Sequence, residues 1–372
     1  MRLLPLAVFA LAAVLPAAAG ASSGNIGGAT AQFLRLGAGP RALGMGDAYT
    51  AVAEGPEAVY WNPAGLAQSD STEVTYARTE FLSYFHHDFV ALSQPIRSKN
   101  SALGFAFTHF SQRSMMAVDK DNVQTGEFSP RSFAFSGAFA HTFGEDIGDS
   151  WTGRLRSYEC GGTSPWAGLK GRCRPVWGRS GYGPLMLGVA GKYIQESLYA
   201  RSARAFAFDL GALYKPAMLE GSSLGLALRN LGTKEKFIQE AENLPMEMDI
   251  GAAYMHSWDD ADLRPAVMLS LPYYGLPSAQ AGVEYSKVLT EGARGSLRFG
   301  FKSLTAGDLG LFSGFTFGIG LEIVRVRIDF ACQTAAELGQ TYRMGLSWRW
   351  ADSYESPAYR EPDPYSPDFR LR

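Results

Sequence analysis

The chain has 372 residues, with 34 Lys and Arg against 36 Asp and Glu, a net charge of −2 and a pI near 6.2. That balance offers no basic footprint for nucleic acid, and three cysteines are too few for a disulfide scaffold or a thiolate metal cluster. Aromatics at 13%, with 23 Phe, 17 Tyr and 42 Gly, suit strands, tight turns and aromatic girdles better than a helical domain.

In chain order, Met1-Arg2 is a short positive start and Leu3 to Leu15 is an apolar run. Ala17-Ala18-Ala19 or Ala19-Gly20-Ala21 then supplies a small-x-small cleavage pattern. Together these predict an export signal over 1–21. The run falls short of the roughly 20 apolar residues a spanning helix needs. No Cys lies just after the cleavage region, so lipoprotein anchoring is not indicated.

Residues 22–72 carry Gly27, Gly28, Gly37, Gly39, Gly44, Gly46, Gly55 and Gly65 between short apolar groups. This predicts a compact, turn-rich segment with two short helices, one of them over Asp47 to Ala53.

From residue 73 onward, bulky apolar residues alternate with small or charged ones. Phe133, Phe135, Phe139 and Phe143 oppose Ser132, Ala134, Ser136 and Ala138. Leu297, Phe299 and Phe301 oppose Arg298, Gly300 and Lys302. Phe315 to Leu321 alternate with a set ending in Glu322, and Val324, Val326, Ile328 and Phe330 alternate with Arg325, Arg327 and Asp329. Tyr342 to Trp350 alternate with Arg343 and Arg349. A side-chain period of two puts each set on one strand face.

Fourteen such spans are predicted: 73–80, 86–94, 101–110, 131–143, 184–195, 203–214, 223–230, 246–255, 263–271, 279–287, 295–303, 314–323, 324–332 and 341–350. A soluble β-sandwich and a membrane barrel both alternate. Strand length, small residues that leave lumen space for a plug, and the export signal favour the membrane. The expected fold is therefore all-β: a transmembrane antiparallel β-barrel of about 14 strands over 73–350 with an N-terminal hatch in the lumen. Its expected lumen charges are Arg298, Lys302, Glu322, Arg325, Arg327, Asp329, Arg343 and Arg349. Acids on the hatch (Asp47, Glu54, Glu57) would face this basic wall, with Arg41 beside them.

The insert 144–183 breaks the rule of short turns at the end where the hatch joins the barrel. In an oxidising periplasm its Cys160 and Cys173 are expected to form a disulfide, a loop closure of about 3 kcal/mol. A metal site needs more ligands than this stretch, which lacks His, provides. Residues 351–372, with Pro357, Pro362, Pro364 and Pro367, are expected to be extended or disordered. Insert and tail together offer a place for a periplasmic partner.

The five His residues are scattered, and neither a His-x-x-x-His pair nor a Gly-x-Ser-x-Gly elbow occurs. No catalytic residue, metal or cofactor is expected, and the chain reads as non-enzymatic.

The segment Ala38-Gly39-Pro40-Arg41-Ala42-Leu43-Gly44-Met45-Gly46-Asp47-Ala48-Tyr49-Thr50-Ala51-Val52-Ala53, followed by Tyr60-Trp61-Asn62-Pro63-Ala64-Gly65-Leu66-Ala67, strongly resembles the opening of the PorV/PorQ family. These are relatives of the FadL long-chain fatty-acid transporters. Leu231-Gly232, Leu244-Pro245, Gly251 to Tyr254 and the closing stretch Arg343 to Trp350 extend the resemblance over most of the chain.

The resemblance implies a fourteen-stranded barrel with a hatch carrying Arg41, Gly44, Gly46, Asp47, Asn62 and Pro63. It also implies a bacterial outer-membrane location and a closing strand read by the barrel-assembly machinery. Passage of a hydrophobic or amphipathic small molecule past a movable hatch is the leading expectation, with outer-membrane lipid around the barrel. The alternative is a type IX secretion shuttle holding the C-terminal signal domain of an exported protein. Met115, Met116, Phe237 and Ile238, in two loops on the outer side, are the expected access point for a ligand.

Overall fold

The structure, a computed structural model, describes residues 29–350 apart from 82–83, 97–99, 122, 144–157, 161–172, 176–184, 200, 217–218, 220, 237–240, 259, 291 and 335–339. The expected export signal over 1–21, most of the insert and the tail lie outside the described residues.

Fourteen long strands form the wall. They are β1 Glu73–Phe81, β2 Phe85–Ile96, β3 Ser101–Gln112, β4 Arg131–Phe143, β5 Leu185–Leu198, β6 Arg201–Tyr214 and β7 Ser222–Gly232, then β8 Glu247–Tyr254, β9 Ala261–Pro272, β10 Ser278–Thr290, β11 Ala293–Lys302, β12 Phe315–Ile323, β13 Val326–Thr334 and β14 Gln340–Arg349. Each pairs antiparallel with its neighbours in chain order, and β8 with β9. The ring closes where β1 meets β14, from Glu73 opposite Arg349 to Phe81 opposite Thr341. Every backbone edge is thereby satisfied within the sheet, the condition for a sheet to lie in hydrocarbon.

Burial decides between the two readings of the alternation. Phe107, Phe135, Phe206, Leu297, Phe317 and Met344, on six different strands, are exposed, whereas Arg298, Asp329 and Arg343 are at most 5% exposed. In water this would be a sandwich turned inside out. Around a closed ring it is the surface of a transmembrane barrel.

Residues 29–72 fill the lumen. Short helices Pro40–Gly44 and Ala58–Trp61 and the 3-10 turns Gln32–Arg35, Gly55–Glu57 and Pro63–Gln68 make up most of this plug. The Asp47 to Ala53 helix does not form: that stretch is turns and irregular chain. Gly46 and Asp47 both have left-handed φ, 64° and 61°, so the chain reverses immediately after the Pro40–Gly44 helix.

The plug threads the barrel from end to end. Thr30 N donates to Asn243 O at 3.0 Å beneath the long connection 233–246, while Trp350 N donates to Thr72 O at 2.9 Å at the other rim. The first rim is called the loop end, and the second the base.

Other segments differ in detail from the expected loops. The connection 113–130 folds into a small hairpin, Met115–Val118 with Gln124–Phe128, and 303–314 holds a helix, Ser303–Leu309, and a 3-10 turn. In the insert, Tyr158–Cys160 pairs with Cys173–Pro175, setting Cys160 directly opposite Cys173. Directly opposed strand residues have Cα atoms about 4.5–5.5 Å apart, within disulfide range. The expected outcome, still to be measured, is a disulfide-linked peptide containing both cysteines after digestion without reductant, lost on reduction. Free alkylation of both thiols in protein kept away from reductant would sink the assignment.

Candidate functional site at the plug–wall interface

The motif residues of the plug are each held by local geometry. Asn62 begins the Pro63–Gln68 turn: its side-chain oxygen accepts from Ala64 N at 3.2 Å, and its amide donates to Thr50 O at 3.0 Å and to Ala212 O of β6 at 3.1 Å. Pro63 occupies the first turn position, where no N–H is needed. Gly44 packs its backbone on Gly318 of β12, and Gly46 lies against the backbone of Phe301 and Ala281. A Cβ at Gly46 would overlap that backbone, at 2.6 Å from Phe301 N, and one at Gly44 would be tight against Gly318 Cα at 3.0 Å.

Arg41 is the most heavily engaged plug residue. Its Nε and Nη2 donate to Glu284 of β10 at 2.8 and 2.7 Å, and its Nη1 meets Glu54 at 2.5 Å. Glu284 also accepts from Arg298 Nε at 2.6 Å. Arg298 reaches across β12 to Asp329 at 2.6 Å, and Asp329 meets Arg327 at 3.0 Å. That reach is possible because Gly320 lies beneath it: an added Cβ would stand 2.9 Å from Arg298 Nη1. The chain of charges continues from Arg327 to Glu73 at 3.5 Å, from Glu73 to Arg349 at 3.4 Å, and from Arg349 to Glu322 at 3.0 Å. In a partly dry lumen such alternation keeps every charge compensated.

Two further clamps hold the plug. Lys302 forms an ion pair with Asp47. Arg343, buried at the wall, donates to the plug carbonyls of Leu36 at 2.8 Å and Gly39 at 3.1 Å while Thr79 orients its Nε at 2.7 Å. On the opposite side the fit is mainly steric and apolar: Val59 and Leu66 meet Gly104 of β3, and Ala64 packs with Met186 of β5 and Leu213 of β6.

The expected picture of an acidic hatch on a basic wall therefore needs correction. Asp47 and Glu54 do meet wall cations, Lys302 and Arg264, the latter at 3.6 Å. Yet the central contact has the opposite sense, a plug arginine on a wall glutamate. Glu57 turns inward instead and accepts from Tyr49 at 2.9 Å. Arg327 and Arg349 are neutralised largely by Asp329, Glu73 and Glu322 of the wall itself. Arg325 lies in the exposed turn 324–325 rather than in the lumen.

Sequence reading missed Glu284, Glu54 as a partner of Arg41, and a second buried cluster. There Arg229 of β7 meets Asp249 at 2.7 Å and Glu247 at 2.9 Å, and its guanidinium lies 5.3 Å from the rings of both Tyr60 and Trp61 of the plug. Parity was the available signal, since Glu284 and Asp249 sit on the lumen side of their strands. Of the expected ligand-access residues, Met116 is exposed on the 115–128 hairpin beside half-buried Met115. Phe237 and Ile238 lie outside the described residues.

Cavities of about 70 and 30 Å³ remain between plug and wall toward the base, the larger lined by Arg41, Glu284, Arg298 and Arg327. They admit water, not a ligand, whose pocket takes about 300–1,000 Å³.

No protein-family profile matches the chain, and no curated protein matches it. Among solved structures it is similar to the Pseudomonas putida toluene transporter TodX, at 10% identity over 84% of this chain and 99% of that one, TM-score 0.48. It is also similar to the Ralstonia pickettii toluene transporter TbuX, at 11% identity over 85% and 99%, TM-score 0.49. A Pseudomonas aeruginosa FadL homologue follows at 11% identity over 84% and 98%, TM-score 0.45. At these scores the likeness adds nothing to what the strand register establishes: a closed, plugged, fourteen-stranded barrel with a lipid-type exterior.

Proposed function

We propose that this chain is a non-enzymatic transport barrel of the bacterial outer membrane, of PorV/PorQ type, through which a hydrophobic or amphipathic ligand passes once the plug moves as a hatch. The observation that carries this reading is the way the plug is held. A segment separate from the wall fills the lumen, and its strongest contacts are polar and exchangeable with water: Arg41 on Glu284, Lys302 on Asp47, and Arg343 on two carbonyls. Such contacts break at modest cost when water or a ligand replaces them. The base, whose connections are short apart from the insert 144–183, faces the periplasm in this reading and the loop end faces outward. The 115–128 hairpin with Met115 and Met116 is then the first apolar surface a ligand meets.

Mass spectrometry of what copurifies with the native protein in mild detergent tests the proposal. A stoichiometric apolar or amphipathic small molecule is the expected result. A stoichiometric exported protein carrying a C-terminal signal domain would replace ligand passage with the secretion-shuttle reading.

A further inference from the structure

We propose that Glu196 and Glu235 share one proton at the loop end, and that this proton clasps the start of the plug to the outer connection 233–246.

The geometry is unusual for two acids. Thr30 Oγ1 lies 3.0 Å from Glu196 Oε2 and 2.9 Å from Glu235 Oε2. A hydroxyl has one hydrogen to donate, so it can satisfy only one of these carboxylates. The second must carry a proton and donate it to the hydroxyl oxygen. Glu196 is otherwise satisfied, accepting from Ala31 N at 3.1 Å and from Ser132 Oγ at 3.0 Å. Glu235 is 1% exposed, and its Oε1 has no partner. Burial, with the Glu196 charge next, pushes Glu235 up to about 7. The same few residues are tied to the 233–246 connection through Thr30 N on Asn243 O and the Ala29–Asn243 bridge, with Asn243 in turn bonded to Tyr274.

Among the described residues, the elements packed around the pair bring no compensating cation. On β5, Lys192 is committed to Asp209 at 2.6 Å and to Asn230 at 2.8 Å. On the plug, Arg35 turns toward Glu247 at 3.9 Å. On β4, Arg131 is exposed, as is Arg204 on β6. Across the small 235–242 ribbon, Glu235 faces another acid, Glu242, and Lys236 is exposed. A proton is what remains to neutralise the pair.

The sign follows from linkage. The clasped state holds a proton that the open state releases near its ordinary value of 4.5. The clasp is thus at full strength at low pH, weakens as pH rises from about 4.5, and has lost its contribution above about 7. Tenfold per pH unit across that window, the shift in the clasp equilibrium is at most about 300-fold.

A nitroxide on Gln32→Cys, an exposed position two residues from Thr30, reads this in the intact barrel in detergent. Wild-type background should show an immobile spectrum at pH 5 and a growing mobile component toward pH 8. Glu235→Gln, whose amide donates without titrating, should stay immobile across the range, and Thr30→Val should be mobile throughout. A pH-independent spectrum in the wild-type background, or an unchanged titration in Glu235→Gln, overturns the proposal. So does release by a chelator at pH 5, which would mean that a cation joins the acids. The inference rests on the hatch reading only for its consequence. Label mobility is measured without any cargo, so it can fail or succeed independently of the copurification result.

Discussion

Glu284→Gln is expected to unseat the plug and to give the largest permeability change of any single conservative substitution in this chain. Glu284 accepts three hydrogen bonds from two arginines, one on the plug and one on the wall. An amide offers one oxygen, and its NH2 group would point at a guanidinium N–H, donor against donor. Arg41 and Arg298 would then be two buried cations with their shared anion gone. Removing one side of a buried ion pair costs about 3–5 kcal/mol. The lower end applies, because Arg41 keeps Glu54 at 2.5 Å and Arg298 keeps Asp329 at 2.6 Å. The penalty falls on the seated state alone, since an unseated Arg41 regains water.

About 3 kcal/mol is roughly a hundredfold in the seated-to-unseated ratio. It should appear as raised conductance in planar bilayers and faster trypsin cleavage after Arg41, which is 4% exposed when seated. The paired variant Arg41→Met with Glu284→Met separates charge from bulk. It leaves Arg298 on Asp329 and Glu54 near Arg264, so every remaining charge has a partner. The double variant should leak less than Glu284→Gln. If it leaks more, the cluster holds the plug by shape rather than by charge compensation.

Much of this architecture was legible because strand parity is a strict signal. All fourteen spans were placed within three residues at each boundary, the one expected over 131–143 being the observed Arg131–Phe143. Parity also placed Arg298, Lys302, Asp329 and Arg343 on the inner face. What it could not supply was register. Glu284 faces Arg298, and Arg229 faces Glu247, only once neighbouring strands are aligned, and alignment depends on turn lengths and bulges. The misplacement of Arg325 has a local cause. Val324, Arg325 and Val326 read as the opening alternation of the span expected over 324–332, yet the chain reverses at 324–325 with Val324 at φ 52°. A β-branched residue rarely adopts that conformation, so nothing in the residue types announces a turn. The plug was recognised from its glycines and its motif. Its passage to the loop end was hidden, because Thr30, Glu196 and Glu235 are far apart in sequence and individually unremarkable.

The second large effect is expected from Gly300→Val, and its argument is geometric. The wall carries glycines where the plug presses on it: Gly104, Gly188, Gly211, Gly225, Gly282, Gly300, Gly318 and Gly345 all face it closely. A Cβ at Gly300 would overlap Gly46 N and the carbonyl carbon of Met45. These are backbone atoms inside a reversal that Asp47, paired with Lys302, holds in place, so no rotamer change relieves the clash. The cost should exceed the about 1–3 kcal/mol of ordinary overpacking, where side chains can yield. The strand itself gains β-propensity from valine. The barrel should therefore still close and resist unfolding in cold SDS, while the plug stays unseated, trypsin cuts at Arg41 and conductance rises. Gly191→Val is the matched control. It lies on the lipid side of β5, where an added Cβ meets nothing within 4 Å, and it should leave all three measurements unchanged. If Gly300→Val also changes nothing, the plug is seated less deeply than the contact with Gly46 requires. If it prevents the barrel from forming at all, seating of the plug is part of how the wall closes.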